Sequence, residues 1–158
     1  MATFTGSHAA ASYPTGGAGQ ANLLHVAWGT YTLAANPSAS DIIKFCRVPK
    51  GATVIGGFLQ GADIDTGTET FDMDVGWASN GVDAADTDGF GNFGVLDGDA
   101  VAMFKPVAGI YNPFVNIIQD NGFKKFAAET DIIGTVNATA AAGGTGLLKV
   151  VVFYVMVD

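Results

Sequence analysis

The octapeptide Thr70-Phe-Asp-Met-Asp-Val-Gly-Trp77 alternates large apolar residues with acidic or small ones. Because a β-strand turns successive side chains to opposite faces, its apolar side chains would share one face and its two aspartates the other. A helix would scatter the same apolar residues around its circumference. The pattern therefore predicts a half-buried strand with its acids in water.

Comparable strand-like runs lie on both sides of this octapeptide, separated by turn sequences such as Asn36-Pro-Ser38 and Pro49-Lys-Gly51. The further predicted strands are 23–33, 41–48, 53–64, 110–119, 130–137 and 146–157. Residues 78–98 are rich in Gly, Asp and Asn and are predicted as a long loop. Many short strands with Gly- and Pro-marked turns predict an all-β fold: a single-domain antiparallel β-sandwich, jelly-roll-like in architecture.

The start of the chain differs from the rest, because it contains few groups able to form a core. We predict a flexible N-terminal arm over residues 1–20 and a β-sandwich domain over residues 21–158. Two interpretations of the arm stay open: plain disorder, or ordering across a neighbouring subunit. In the second, the contact residues would be Phe4, His8 and Tyr13.

The composition indicates a surface that is partly covered by partners. Of the 158 residues, 49% are apolar and only 14% are charged, against about 25% charged in an average globular protein. An isolated monomer normally needs more charge to keep its surface solvated. We therefore expect association with other protein subunits.

The charge and the apolar runs argue against nucleic acid and membrane as partners. A net charge of −8, from 15 acids and 7 bases, is the opposite of what phosphate binding requires. The longest apolar run, residues 147–157, has 11 positions and includes Lys149, whereas a membrane helix needs about 20. We also expect no secretory signal, since the start of the chain lacks a basic and apolar leader.

The last predicted strand, residues 146–157, is apolar on both faces. One face can enter the core, but the other needs a cover from a loop or from another subunit. The low overall charge favours a subunit. The side chains of this second face, predicted as an oligomer interface, are Leu147, Val151, Phe153, Val155 and Val157, interrupted only by Lys149.

No residue pattern predicts an enzyme or a cofactor. His8 lies in the predicted arm and His25 in a strand, and the sequence contains no recognised catalytic motif that would hold either one beside a nucleophile or carboxylate. Paired carboxylates can hydrolyse glycosides across a cleft, but the available acids are more simply hydrated side chains. They are Asp63, Asp65, Asp72 and Asp74. The single Cys46 excludes an internal disulfide and is predicted to be a small buried hydrophobe.

A weak calcium site is a minority interpretation of the acidic loop. Asp86-Thr-Asp88-Gly opens like a calcium-binding loop, but its twelfth position is Asp97 where a bidentate Glu is needed. No helices flank the segment, so a solvated acidic loop is the favoured interpretation. Weak binding by Asp86, Asp88 and Asp97 is the alternative.

A carbohydrate-binding role is the second functional hypothesis. Trp77, Phe90 and Phe93 lie beside Asp and Asn residues, an arrangement that suits stacking on sugars. The favoured interpretation, however, is that all three aromatic side chains are anchored in the core.

The middle of the chain resembles a recurring pattern in small virion proteins of tailed bacteriophages. The pattern reads strand, Val-Pro-x-Gly-Ala turn, strand, Asp-x-Asp-Thr-Gly turn, strand. It is carried by Asp41-Ile-Ile-Lys-Phe45, Val48-Pro-Lys-Gly-Ala-Thr-Val54, Ala62-Asp-Ile-Asp-Thr-Gly-Thr68 and Asp72-Met-Asp-Val-Gly-Trp77.

This resemblance implies a head decoration (cement) protein with no catalytic residues. Such a protein is a β-sandwich, often a homotrimer, that binds the major capsid protein on the capsid exterior and braces the shell. The resemblance also implies synthesis in the host cytoplasm and a final place in the virion. Proteins with this pattern also occur in fibres and tails, where the carbohydrate-binding alternative applies.

Overall fold

The computed structural model describes residues 1–9, 23–96, 109–115 and 122–156, with side chains at all of these except residues 7 and 8. The described residues form ten strands. They are β1 (Thr3–His8), β2 (Leu24–Leu33), β3 (Ile42–Val48), β4 (Ala52–Gly61), β5 (Asp72–Trp77), β6 (Asp86–Gly91), β7 (Ile110–Pro113), β8 (Lys124–Lys125), β9 (Thr130–Ala138) and β10 (Gly146–Met156). Within these ranges, no helix has the length and apolar character to cross a membrane.

The strands form two sheets that pack face to face. The first sheet has the order β1-β3-β9-β5-β6, and the second has the order β2-β10-β4-β7 with β8 beside β4. Strands β2 to β5 alternate between the sheets, and β9 and β10 return to interior positions in them, which makes the connectivity jelly-roll-like. The predicted all-β sandwich is confirmed. One pair departs from the antiparallel prediction, because β1 runs parallel to β3.

The core lies between the sheets and is built by period-2 patterning. Phe71, Met73, Val75 and Trp77 are all buried, as the octapeptide predicts. From the second sheet, β10 contributes a continuous inner row of Leu148, Val150, Val152, Tyr154 and Met156.

Aromatic side chains fill one part of this core. The Phe90 ring stacks on Phe114 at a centroid distance of 5.2 Å, and it tilts against Trp77 at 5.0 Å. Phe126 meets Trp77 edge to face at 5.5 Å. Cys46 is buried as predicted, and burial, reinforced by Asp131, raises the pKa of its thiol.

The backbones of β2 and β3 approach closely at one corner of the sandwich. A Cβ atom added to Gly29 would fall 1.8 Å from the carbonyl oxygen of Phe45. Leu33 at the end of β2 and Ile42 at the start of β3 are joined by a short link. Only glycine at position 29 allows this close approach of the two backbones.

Three segments differ from the sequence-based predictions. Residues 3–8 of the predicted arm form β1, so the interpretation of plain disorder is wrong for these residues, while residues 10–20 lie outside the described part. The predicted loop 78–98 contains a strand, β6. The predicted strand 110–119 is described up to residue 115, and its strand ends at Pro113.

The close approach at Gly29 predicts a large effect of a small substitution. Gly29→Ala forces a methyl group against the Phe45 carbonyl, and we expect a loss of about 1–3 kcal/mol or more in the free energy of unfolding. Denaturant unfolding followed by tryptophan fluorescence measures this. Thr32→Ala, at an exposed position of the same strand, is the control and should change stability little. Equal stability of the two variants would contradict the proposed backbone contact.

Candidate interaction surface

An apolar surface covers the outer side of the second sheet. The strand register places Val151 of β10 between Trp28 of β2 and Phe58 of β4. The next rows pair Phe153 with Val26 and Val155 with Leu24. We refer to this set as the apolar face: Leu24, Val26, Trp28, Phe58, Val151, Phe153 and Val155.

Exposure within the apolar face is highest on β2. Leu24 is 62% exposed, Val26 51% and Trp28 41%. Val151 is only 7% exposed, and Phe153 and Val155 are half-buried, because β10 has a strand on each side. The structure therefore brings the predicted residues of β10 together, but the side chains most available to a partner belong to β2. Leu147, opposite Thr32 near the other end of β10, is 48% exposed, and Val157 lies outside the described residues.

Sequence reasoning missed the β2 residues although a signal was present. Leu24, Val26 and Trp28 alternate along β2 just as the β10 residues do. Their inward counterparts are His25, whose ring stacks on Tyr154 at 5.2 Å, and the small residues Ala27 and Gly29. A strand with small inner and large outer side chains indicates that its outer face is covered.

Aromatic contacts hold the apolar face in shape. Phe58 meets Phe153 edge to face at 6.1 Å and Tyr111 of β7 at 5.2 Å. The Lys149 ammonium lies 5.4 Å from the centre of the Trp28 ring, within cation–π range. These contacts restrict the side chains before any partner arrives, which lowers the entropy cost of binding.

The charge of the molecule is distributed unequally between the sheets. In the second sheet, strands β2, β4, β7 and β10 contain no Asp or Glu and a single Lys, Lys149, while the two-residue β8 consists of Lys124 and Lys125. The first sheet carries ion pairs, including Lys44 with Asp131 at 2.7 Å and Arg47 with Glu129. Contiguous exposed apolar surface on a soluble sandwich is a mark of an interaction site. The apolar face is therefore the candidate functional surface.

The acids considered for hydrolysis support the fold. Asp65 is buried and accepts the backbone N–H groups of Thr70, Phe71, Ala141 and Ala142 at 2.8–3.2 Å. Burial alone would raise the pKa of Asp65, but the hydrogen bonds outweigh it and hold the pKa far below its usual value. This carboxylate ties the turn after β4 to the loop before β10.

Asp74 corrects the prediction that the acids of the octapeptide lie in water. It is buried, accepting hydrogen bonds from the Asn137 amide at 2.7 Å and the Phe93 N–H at 3.3 Å. Burial raises the pKa of Asp74, and the nearby Asp72 adds to the shift, although the bond from Asn137 acts in the other direction. Asn137 also donates to Asp72 at 3.1 Å, so both carboxylates are engaged within the sheet. Asp63 lies in the turn after β4.

The calcium candidates are only partly brought together. Asp86 and Asp88 lie two positions apart on β6, and Asp97 lies outside the described residues. Burial and a hydrogen bond with Asp88 raise the pKa of Asp86. Across the described part of the chain, no group of three or more His, Cys, Asp or Glu side chains could hold a metal ion.

The aromatic residues of the carbohydrate hypothesis belong to the core. Trp77 and Phe90 are buried, and the Trp77 indole N–H donates to the Ala84 carbonyl at 3.0 Å. Phe93 is partly buried and packs against the core. The prediction that Trp77 and Phe90 stack on sugars is therefore wrong, and the core-anchoring interpretation is confirmed for them.

The arm residues divide between described and undescribed parts of the chain. Phe4 packs on Tyr31 with a ring distance of 5.4 Å, so its ring contacts the sandwich itself. β1 ends at His8, whose side chain is not part of the described structure. Tyr13 is not among the described residues.

The Asp65 site predicts a specific dependence of stability on pH. Because its folded pKa is depressed, Asp65 stabilises the protein above its unfolded pKa of about 4, and this contribution is lost as pH falls towards the folded pKa. We expect Asp65→Asn to lower the Tm clearly at pH 7, with a difference from the native protein that shrinks below about pH 4. Thermal unfolding followed by circular dichroism from neutral to acidic pH measures it. Asp72→Asn is the control, and a pH-independent difference for Asp65→Asn would contradict this role.

Comparisons with known proteins identify the fold. No protein-family model and no curated protein sequence matches the chain. Among solved structures, it is similar to a chain from the capsid of Ralstonia phage GP4, with 21% identity and a TM-score of 0.73 over 99% of each chain. It is also similar to a chain of the cyanophage Pam1 capsid asymmetric unit (22% identity, TM-score 0.65, 94% of each chain). A third match is a chain of the acid-stable capsid of Helicobacter pylori bacteriophage KHP30, with 16% identity and a TM-score of 0.50 over 87% of this chain and 95% of that one. This chain shares its fold with chains of those three structures.

Proposed function

We propose that this protein is a structural component of a bacteriophage capsid. More specifically, it is a decoration (cement) protein that binds the major capsid protein on the outside of the shell as a homotrimer. The observation that carries the proposal is the fold shared with a capsid chain over nearly the whole length of both chains. Synthesis in the host cytoplasm and incorporation into the virion belong to the same proposal.

The apolar face supports a role in assembly independently of the fold. A fold hosts many functions, so the functional argument needs a surface of its own. Leu24, Val26 and Trp28 expose apolar area next to one another on a strand without charged residues. Removing this exposed apolar area from water in an interface contributes roughly 25 cal/mol per Å², offset in part by the entropy cost of association. A lattice protein needs such a permanent, apolar contact.

A second copy of this chain is the proposed occupant of the apolar face. The chain as a whole has few charged residues, and closed rings of identical subunits are a common way to cover apolar surface. In a three-fold ring, each copy meets its neighbour through two different patches, one of which is the apolar face. Three copies in one particle also multiply a weak contact with the shell through effective concentration.

Binding to the shell is tested by co-sedimentation. The purified protein is mixed with phage shells that lack it, and the pellet is analysed for a saturable amount of the 16.1 kDa chain. We expect saturation at a fixed ratio to the major capsid protein. Protein that stays in the supernatant at micromolar concentration would overturn the decoration role.

Self-association predicts an effect of one charge placed on the apolar face. Val26→Glu puts a carboxylate among exposed apolar side chains, so we expect the mass measured by light scattering to fall from that of an oligomer to 16.1 kDa. Val82→Glu is the matched control, because Val82 is 71% exposed in the β5–β6 connection, away from the face. It should leave the mass unchanged. A native protein that already has the mass of a single chain would contradict self-association.

A further inference from the structure

The first strand is attached to the sandwich at its margin. Among the described residues, the buried core cluster comes from residues 33–156, and only Phe4 of β1 packs against it. The two sheets therefore complete their core without β1. A marginal strand of this kind belongs to the least stable part of a fold and can detach without global unfolding.

The place where β1 docks is nevertheless specific. The Ala2 N–H donates to Asp41 at 2.7 Å, and the Ala2 carbonyl accepts the Ile42 N–H at 2.8 Å. Asp41 is buried, and the hydrogen bond from Ala2, followed by that from Ser38, holds its pKa below the usual value. Gly6 lies against backbone, since an added Cβ would fall 2.8 Å from the Thr30 carbonyl oxygen. This site recognises an extended strand with a small residue at the position of Gly6.

The connection from β1 to β2 is much longer than the geometry requires. The Phe4 ring lies 5.4 Å from the Tyr31 ring, and Gly6, two positions later, lies against Thr30, one position earlier, so β1 and β2 run in opposite directions where they meet. With Gly6 beside Thr30, the end of β1 and the start of β2 are separated by about 13 Å along the strand direction. A turn of about 2–6 residues joins most such neighbours. Here β1 ends at His8 and β2 begins only at Leu24.

A connection between positions 8 and 24 has a reach of up to about 50 Å, far more than the roughly 13 Å that docking of β1 within its own chain requires. We propose that β1 is exchanged in the oligomer, so that residues 2–8 of each copy dock on β3 of its neighbour. In the exchanged oligomer, Asp41 of one copy accepts a hydrogen bond from the Ala2 N–H of the next copy. The other contacts of β1 are the same as those that it makes within a single chain. The exchange rests on the proposed self-association and adds to it a strand that locks the ring. Exchange of an identical element is a low-cost route to oligomers.

A double-cysteine variant tests where β1 docks. Thr3 and Ile42 are Cα partners across the β1–β3 pair, so Thr3→Cys with Ile42→Cys forms a disulfide when the strand is in place. After oxidation, a denaturing non-reducing gel separates the two outcomes. Exchange gives covalent multiples of 16.1 kDa, up to three chains for a closed trimer. Docking within one chain leaves a single band at the mass of the monomer and overturns the exchange.

The matched control uses the same cysteine on β3 and its other neighbour. Ile42 is also the partner of Thr135 on β9, so Ile42→Cys with Thr135→Cys must cross-link within one chain and run as a monomer. The single variant Thr3→Cys gives the background of random cross-links. If the first double variant fails to fold, Thr5→Cys with Lys44→Cys probes the same pairing.

Light scattering of the unoxidised native protein separates failure of the exchange from failure of the proposed function. An oligomer whose cross-link stays within one chain refutes the exchange alone. A native protein with the mass of one chain refutes both the exchange and the self-association on which it rests.

Discussion

The structure depends on a single constraint: β10 lies inside the second sheet with apolar side chains on both faces. Its inner row fills the sandwich and its outer row lies between β2 and β4. A two-layer sandwich covers only one face of each sheet. The side chains of Trp28 and Phe58 cover Val151 from the two sides, but in doing so they extend the apolar area across three strands. In a single chain, the outer side chains of β10 are therefore largely covered, but the apolar side chains of β2 that lie beside them stay exposed.

Periodicity predicted the strands that obey it and missed those formed by tertiary pairing. The octapeptide and the last strand were correct because their side-chain alternation matches the pleat. The sequence of β6, Asp-Thr-Asp-Gly-Phe-Gly, has the composition of a loop. It becomes a strand because it pairs with β5, where a Cβ on Gly89 would fall 2.2 Å from the Trp77 ring. Local strand propensity predicts structure poorly at β6 because the packing of its backbone against the Trp77 ring, a tertiary contact, decides the conformation.

The roles of the acids could not be predicted from the sequence for a related reason. Asp41 and Asp65 are anchored by backbone N–H groups, and those that bind Asp65 include Ala141 and Ala142, which are 76 and 77 positions away. A sequence contains no sign of which loop will supply such donors. β1 was missed for the same reason. Its residues have little apolar content, and it is held in place by contacts with Asp41 and with the backbone near Gly29, which are distant in the sequence. Likewise, the outer face of the second sheet was predicted from β10, whereas its exposure depends on which strand lies at the edge.

The distribution of charge explains how an acidic protein can associate through its apolar face. Each copy carries a net charge of −8, so repulsion opposes the approach of a second copy. The acids of Asp72, Asp74, Asp86 and Asp88 lie on strands of the first sheet, whereas the apolar face lies on the outer side of the second. Packed sheets are about 10 Å apart, so the thickness of the sandwich separates these acids from the apolar face, and their repulsion at that face is weakened by distance. Lys149 beside Trp28 adds a positive charge at that surface.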